Sequence, residues 1–390
     1  MDTSKRRQLS SVQKRVLMIS NWRDEGLMEE ILSVAQEQRW SVADIRFLYR
    51  KSVRDFQPDG ILCCHYPFPS DVRSLWRAGT PAVQTWNMPI VSRVKSPVMV
   101  ASDPALVGKI AAEHFLARGL KHAVFCAMSI SPEFMSSLVR QFKSTFSAGG
   151  GRCMEALRFP FRDREDRVRV FYDRFDTWLQ SAQRPIGVLT SGDVLAGHII
   201  AACQASGVSV PDEVAVLGIG NKLHICQMAP CGLSSVSLNN TGRGRSAALL
   251  LDRMMRGEKV AERQILIPPV GVMSRKSTDV FVVEDAAVGR ALRFIADHLE
   301  KGISVDDVAA AAGLSRTSME RHFKRHLSRS VNQVLLRRRL ERCRELLLST
   351  DLPLEDIAPR VGVLSRSYLH RTFRKRYGCS PQEMRSRYRG

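Results

Sequence analysis

The 390-residue chain is 44% hydrophobic and 25% charged, the balance of an ordinary globular protein, and carries 59 Lys+Arg against 39 Asp+Glu for a formal net charge of +20. No apolar run is long enough to span a bilayer, so no membrane segment is expected. Nine scattered cysteines without a CxxC pair read as reduced thiols and not as a disulfide framework.

Residues 1–14 form a polar, basic tail with no apolar core and small-residue cleavage site behind it, so a cytoplasmic protein is expected. From Arg15 to about Val270, short β-branched runs alternate with helical stretches, the pattern of parallel sheets with crossover helices. Candidate strands are RVLMIS, GILCCH, AVQTW, HAVFCAM, IGVLTS and VAVLGIG; candidate helices between them include MEEILSVAQEQ, LVGKIAAEHFLARG, LAGHIIAACQASG and GRSAALLLDRMMRG. In such sheets the loops after strand C-termini form the binding crevice. Cys63, Cys64 and His65 are better explained by a strand end than by metal ligation. Gly218-Ile219-Gly220 lacks the third glycine of a dinucleotide fingerprint, because Leu223 stands there, and no HExxH or GxSxG is present. No catalysis, cofactor or metal is therefore expected.

Between Val305 and Gly378 the chain repeats itself: VDDVAAAAGLSRTSMERHFKRHLS is followed by LEDIAPRVGVLSRSYLHRTFRKRYG. Each copy reads as helix, tight turn, helix. The turn glycines Gly313 and Gly362 are 49 residues apart and the apolar anchors Phe323 and Phe373 are 50 apart, so one extra residue, Val363 or Leu364, has entered the second turn. In each copy a short helix buries Val308 and Ala309, or Ile357 and Ala358, and glycine permits the turn. The next helix starts at an N-capping Ser315 or Ser365. Met319 with Phe323, and Leu369 with Phe373, supply its i, i+4 inner stripe, leaving Arg316, Thr317, Glu320, Arg321 and Lys324, then Arg366, Ser367, His370, Arg371 and Arg374, on other faces.

The intervening SVNQVLLRRRLERCRELLLS predicts one continuous helix, and about eighteen residues of helix span roughly 27 Å, near the roughly 34 Å between major-groove faces one DNA turn apart. Tandem basic helix-turn-helix units point to double-stranded DNA, with those ten residues as its expected contacts: Arg321 and Arg371 at base edges or adjacent phosphates, and Thr317, Glu320, Ser367 and His370 tuning sequence choice. From Phe281 onward there are 22 Lys+Arg against 13 Asp+Glu, and from Arg360 onward 9 against 1, so the positive charge concentrates in the second unit. His322 and His326 share i, i+4 spacing but lie on the first of these basic helices, where solvated or phosphate-facing histidines are expected in place of zinc ligands.

The stretch from about Glu284 to Arg389 resembles the DNA-binding domain of AraC/XylS-family transcription regulators. The most specific part is IAPRVGVLSRSYLHRTFRKRYGCSP; the departures are Pro359 inside the scaffold helix, which predicts a local bend, and Leu369 where an aromatic is usual. Upstream, VMVASDPALVGKIAAEHFLARGLKHAVF, with Asp103 and Gly108, resembles a helix leaving the first lobe of LacI-type effector domains. IGVLTSGDVLAGHIIAACQASGVSVPDEVAVLGIGN, with Asp193 and Gly207, and ILIPPVGVMSRKSTD resemble their second lobe. The resemblance implies an α/β two-lobed periplasmic-binding-protein-like domain followed by an all-α tandem helix-turn-helix domain. The expected boundaries are 15–275 for the effector domain, 276–285 for a linker and 286–390 for the DNA-binding domain, with units at 305–328 and 354–378.

The function it implies is transcription regulation: a small-molecule effector, a sugar such as xylose or a related carbohydrate, closes the lobes and changes how the tandem units meet their operator. A homodimer is implied, with RNA polymerase as a further partner. Trp22 and Trp86 would stack on a sugar face, while Arg23, Asp103 and Asp193 would hydrogen-bond its hydroxyls; a core role is the plainer reading for the tryptophans, whereas the motif match keeps the aspartates as effector ligands over simple helix caps, and a capping aspartate can still face the cleft. Gly220 stands where the family often has an effector-facing carboxylate. That loss weakens the case for xylose itself, and His65, Tyr66 and Asn221 are the candidates to compensate. The competing reading keeps the architecture with a non-sugar metabolite or a degenerate effector site. A transported-solute receptor would need export and has no use for basic tandem helices. A DNA-repair enzyme would need a metal-bound cysteine cluster near the N-terminus, yet the first 60 residues hold no cysteine.

Overall fold

The computed structural model describes residues 13–20, 25–48, 56–64, 79–85, 97–128, 132–154, 157–159, 166–280, 282, 285–327, 329–363 and 365–389. The chain divides into two compact units and passes between them three times, at 103–104, 238–239 and 268–269. The first unit is built on β1 (Arg15–Ile19), β2 (Ser41–Asp44), β3 (Gly60–Cys63), β4 (Ala82–Gln84), β5 (Val98–Ser102) and β12 (Gln264–Ile267), in the order β12-β5-β4-β3-β1-β2 with every pairing parallel. Parallel strands covered on both faces read as unbroken apolar runs, and Val16 to Ile19 are all buried. Helices α1 (Glu25–Glu37) and α7 (Asn240–Met255) cover one face through Leu27, Ile31, Ala247 and Leu251. They approach so closely that a Cβ at Gly244 would overlap the Leu27 carbonyl.

The second unit holds β6 (His122–Met128), β7 (Arg152–Cys153), β8 (Leu157–Phe159), β9 (Ile186–Thr190), β10 (Val214–Ile219), β11 (Ser234–Ser237) and β13 (Gly271–Met273), in the order β13-β11-β10-β9-β6-β7, with β8 beside β6 and only β13 antiparallel. One face is covered by α2 (Pro104–Leu116) and α3 (Pro132–Ala148) around Phe115, Phe125 and Phe142. The other is covered by α4 (Asp166–Ser181), α5 (Asp193–Ala205) and α6 (Leu223–Met228) around Phe175, Ile199 and Val216. Gly108 now has a physical reason: a Cβ there would overlap the Leu138 carbonyl where α2 crosses α3.

Seven α-helices follow among the described residues: α8 (Ala286–His298), α9 (Val305–Ala312), α10 (Arg316–Leu327), α11 (Val331–Ser349), α12 (Leu354–Arg360), α13 (Arg366–Tyr377) and α14 (Pro381–Arg389). They enclose two cores. Val288, Ile295, Val308, Met319 and Phe323 form one with Val331, Val334 and Leu335 from the start of α11; Leu340, Cys343 and Leu347 from its later turns join Ile357, Leu369, Phe373 and Met384 in the other. One 19-residue rod, roughly 28 Å long, is thus shared by both units.

The segment expected to be a linker is largely not one. Ser277 and Thr278 are fully buried, the Ser277 hydroxyl donating to the Val216 carbonyl at 2.6 Å and the Thr278 hydroxyl to Ser234 at 2.7 Å. Val280 joins the second-unit core and the Val282 amide donates to the Arg118 carbonyl. Packing into the second α/β unit therefore continues through Val282, and Asp285 already caps α8. The nine cysteines carry no disulfide. Among the described residues no helix is long and apolar enough to cross a membrane, and no cluster of His, Cys, Asp and Glu is suited to a metal ion.

Candidate DNA-binding and effector sites

Both helix-turn-helix units are held by the residues the repeat pattern singles out. Gly313 and Gly362 adopt φ of +71° and +69°, the left-handed turn that glycine takes without strain. Met319 and Phe323, and Leu369 and Phe373, are completely buried, so Leu369 fills the aromatic's place by packing alone. The Ser315 hydroxyl accepts from the Ser318 amide and the Ser365 hydroxyl from the Tyr368 amide. Arg316, Thr317, Arg321 and Lys324 are exposed on α10, as are Arg366, Ser367, His370, Arg371 and Arg374 on α13. Pro359 lies in the last turn of α12, and the helix still reaches Arg360, because only one late amide is lost.

An ion pair is duplicated with the fold. Arg316 Nη1 lies 3.1 Å from Asp306 and Arg366 Nη1 lies 3.4 Å from Glu355, joining the first residue of each recognition helix to an equivalent acid on its scaffold helix. Such exposed pairs contribute little stability, but they set where each guanidinium begins its reach. The repeat runs further than its helix-turn-helix core: Ser330 with Gln333, and Ser380 with Glu383, form reciprocal capping boxes at the start of α11 and α14.

Several side chains have partners that spacing does not reveal. Glu320, expected to tune sequence choice, is instead half-buried, and its carboxylate accepts from the Val331 amide at 3.2 Å, so it ties α10 to the start of the rod. His322 and His326 share a protein partner: their ring nitrogens lie 2.7 and 3.4 Å from Asp285 Oδ2 at the cap of α8. Asp285 is held below its ordinary value chiefly by the Val288 amide, with His322 contributing. Tyr368, 41% exposed with Arg371 5.9 Å from its ring, is a surface aromatic on α13 that the repeat pattern does not single out. Its signal was its place next to Leu369, one step off the buried stripe.

Of the effector candidates, Trp22, Arg23, His65, Tyr66 and Trp86 lie outside the described residues. Asp103 is half-buried at the end of β5, where its amide donates to the Ile267 carbonyl. Asp193 is 2% exposed and turns inward: Oδ1 accepts from the Ser235 hydroxyl at 2.5 Å and Oδ2 from the Lys222 amide at 2.7 Å. Burial raises its pKa, against the lowering effect of those two hydrogen bonds. Its carboxylate thus braces the loop after β10 in place of capping a helix.

Gly218 leaves the space that Asp193 Oδ1 occupies, and a Cβ on Gly220 would come within 3.2 Å of Oδ2. The two glycines of the failed dinucleotide fingerprint therefore serve this carboxylate. Asn221 is in the left-handed region at φ +53°; its amide donates to Ser235 and its Oδ1 accepts from Arg275 Nη2 at 3.0 Å. Ser235 and Arg275, which spacing did not single out, complete the network around the loop.

The family of periplasmic binding protein-like domains matches residues 112–278, and that of helix-turn-helix domains matches residues 308–387. The chain joins a periplasmic binding protein-like domain to a helix-turn-helix domain. The first match ends at Thr278, within the stretch that packs into the second unit. The chain is similar to the xylose operon regulatory protein of Escherichia coli (strain K12), 35% identical over 213 residues that cover 55% of this chain and 54% of that protein. The match thus spans about half the length of that relative. With the xylose operon regulatory protein of Haemophilus influenzae it is 29% identical over 293 residues, 73% of this chain and 74% of that one.

Among solved structures, that of a xylose-binding transcription activator, xylR, superposes with a TM-score of 0.60 and 25% identity over 97% of this chain and 99% of that chain. A LacI family transcriptional regulator from Enterococcus faecium with bound ribose matches 68% of this chain and 98% of its own at 21% identity and a TM-score of 0.54, a likeness of fold.

Proposed function

We propose that this chain is a sequence-specific DNA-binding transcription regulator whose operator binding is set by a small-molecule effector, a carbohydrate in the first instance. The carrying observation is the pair of helix-turn-helix units, each presenting exposed cations on a helix whose inner stripe is fully buried, on one rod downstream of a two-sheet α/β domain. Cations on such helices neutralise phosphates and read base edges. The xylose operon regulators among its relatives favour a pentose or a near relative. Arg321 and Arg371 are assigned to base edges or adjacent phosphates, Thr317, Ser367 and His370 to sequence choice, and Lys324, Arg366 and Arg374 to the backbone. Action in the cytoplasm as a homodimer, with RNA polymerase as the further partner, and without catalysis completes the reading.

Selection of duplexes by the full chain tests it. Arg321→Ala is expected to relax preference at one position by about 1 to 3 kcal/mol, whereas Lys324→Ala weakens all duplexes alike. Unchanged affinity and selectivity in both would reject the assignment. One observation favours a second reading of the effector: Gly220 supplies no carboxylate and the Asp193 oxygens are already engaged inward, so the described part of this loop offers a sugar few acceptors. A calorimetric panel of pentoses, hexoses and sugar acids decides between them; heat from none of them would leave a non-sugar effector.

A further inference from the structure

Among the described residues, three charged contacts fasten the DNA-binding rod to the second α/β unit. Arg338 Nη2 lies 3.1 Å from Asp279, Arg344 Nη2 donates to the Val272 carbonyl at 3.2 Å, and Arg275 Nε lies 3.6 Å from Glu345. The third differs from the other two in what stands behind it. Arg275 Nη1 donates to the Leu233 carbonyl at 2.7 Å and Nη2 to Asn221 Oδ1, while the Asn221 amide, through Ser235, connects to Asp193. One planar guanidinium therefore meets the rod through Nε and the loop after β10 through Nη2. Glu345 in turn is shared with Arg342, 2.9 Å away, on the rod itself.

Burial gives this arrangement its consequence. The side chains of Arg275 and Glu345 are only 12% and 11% exposed, so water cannot readily replace either partner. Removing one partner of a shielded pair leaves an uncompensated charge, which costs far more than the pair contributes when intact. Arginine holds several acceptors in a fixed fork; a displacement of Asn221 Oδ1 must therefore turn the whole fork, and the edge facing Glu345 turns with it. Arg338 and Arg344 hold the rod to Asp279 and to the Val272 carbonyl, neither of which is in the loop after β10, so they dock the rod without sharing that link.

We infer that Arg275 is a relay between the loop after β10 and the rod of the DNA-binding domain: a ligand that engages Asn221 alters the Arg275–Glu345 contact, and thereby the posture of both helix-turn-helix units. The inference rests on the proposed effector control and on the sequence-based expectation that Asn221 faces the effector. Linkage makes it reciprocal: disturbing the rod end must loosen the loop with neither ligand nor DNA present.

That reciprocity supplies the test. Hydrogen exchange of the full chain, without ligand, is compared in wild type, Glu345→Gln and Arg338→Gln. Glu345→Gln is expected to speed exchange across residues 220–228 by about fivefold or more, and Arg338→Gln to leave it within about twofold. Glu345→Asp, which keeps the charge but withdraws it by one methylene, provides the same reading should the glutamine variant fail to fold. Unchanged exchange in folded Glu345→Gln or Glu345→Asp, or an equal rise in Arg338→Gln, overturns the relay.

A second arm adds D-xylose to each protein bound to a duplex selected by the wild type. A coupling of about 5- to 150-fold in wild type should fall toward one in Glu345→Gln, with D-xylose binding to the DNA-free protein retained. A wild-type response that survives undiminished in the variant also overturns the relay. A wild type indifferent to D-xylose, with the exchange effect intact, keeps the relay and removes the xylose reading.

Discussion

The two helix-turn-helix units share one plan and close it by different means. In the first, the scaffold helix begins with a reciprocal capping box, Ser304 accepting from the Asp307 amide while Asp307 accepts from the Ser304 amide. In the second it begins at Pro353, with no side-chain cap, and carries Pro359 in its last turn. The turn glycines are reversed in dependence. Nothing lies within 4 Å of a Cβ built on Gly313, whereas one on Gly362 would stand 2.5 Å from the Leu299 carbonyl and 3.1 Å from Gly302. The first unit is held by local hydrogen bonds and the second by being pressed against the first. A repeat can therefore keep its core positions while its copies move from self-sufficiency to dependence.

Glycine-to-alanine substitutions should expose this contrast most strongly. Gly313→Ala meets only left-handed strain, about 1 kcal/mol. Gly362→Ala adds overlap with immovable backbone and is expected to cost about 3 kcal/mol, the strain and the overpacking together. Urea unfolding of the full chain, followed by hydrogen exchange in residues 354–377, separates the two. Equal losses would mean that the second turn is not braced by the first unit.

Much of this architecture is legible in the residues, and the rest is hidden for identifiable reasons. RVLMI, GILC and VAVLGI are continuous apolar runs because parallel strands are covered on both faces. Strand β11 is SSVS, and Ser234 and Ser235 are fully buried, so a core strand there is composed of hydroxyls that Thr278, Arg275 and Asp193 satisfy. Hydropathy cannot find such a strand. The inner stripes of α10 and α13 follow the helical period and were readable. Glu320 to Val331, His322 to Asp285 and Ser235 to Asp193 were not, because their partners lie 11, 37 and 42 residues away and depend on the fold being made.

Ser304→Ala removes the first unit's cap and should cost about 1 kcal/mol. The second unit has no matching bond to lose, so hydrogen exchange in residues 305–308 should rise and that in residues 354–357 should hold. A smaller effect of opposite sign is expected from Pro359→Ala. Regaining an amide hydrogen bond contributes about 1 kcal/mol, and the greater freedom of the unfolded chain takes back about half of that. A net gain of about 0.5 kcal/mol, read as a raised urea midpoint at constant slope, would show that the proline weakens this unit; a loss would show that its ring is a packing element.

Acid should distinguish the units last and least. Asp307 is held below its ordinary value chiefly by the Ser304 amide, and Asp285, at the cap of α8, by the Val288 amide; both serve the first unit. A carboxylate whose folded value is depressed stabilises above its unfolded value, about 3.9, and that contribution disappears as pH falls through the lower folded value. Lowering the pH from about 5 to about 3 should therefore release the first-turn amides of α8 from Asp285 and the Ser304 amide at the cap of α9 from Asp307. The start of α12, where Pro353 offers no side-chain acceptor, has no such bond to release. Because Asp307 is exposed, added salt should shrink the effect. Exchange rates corrected for the intrinsic pH dependence provide the measurement. Parallel loss in α9 and α12 would place the acid sensitivity in the shared rod and not in the caps.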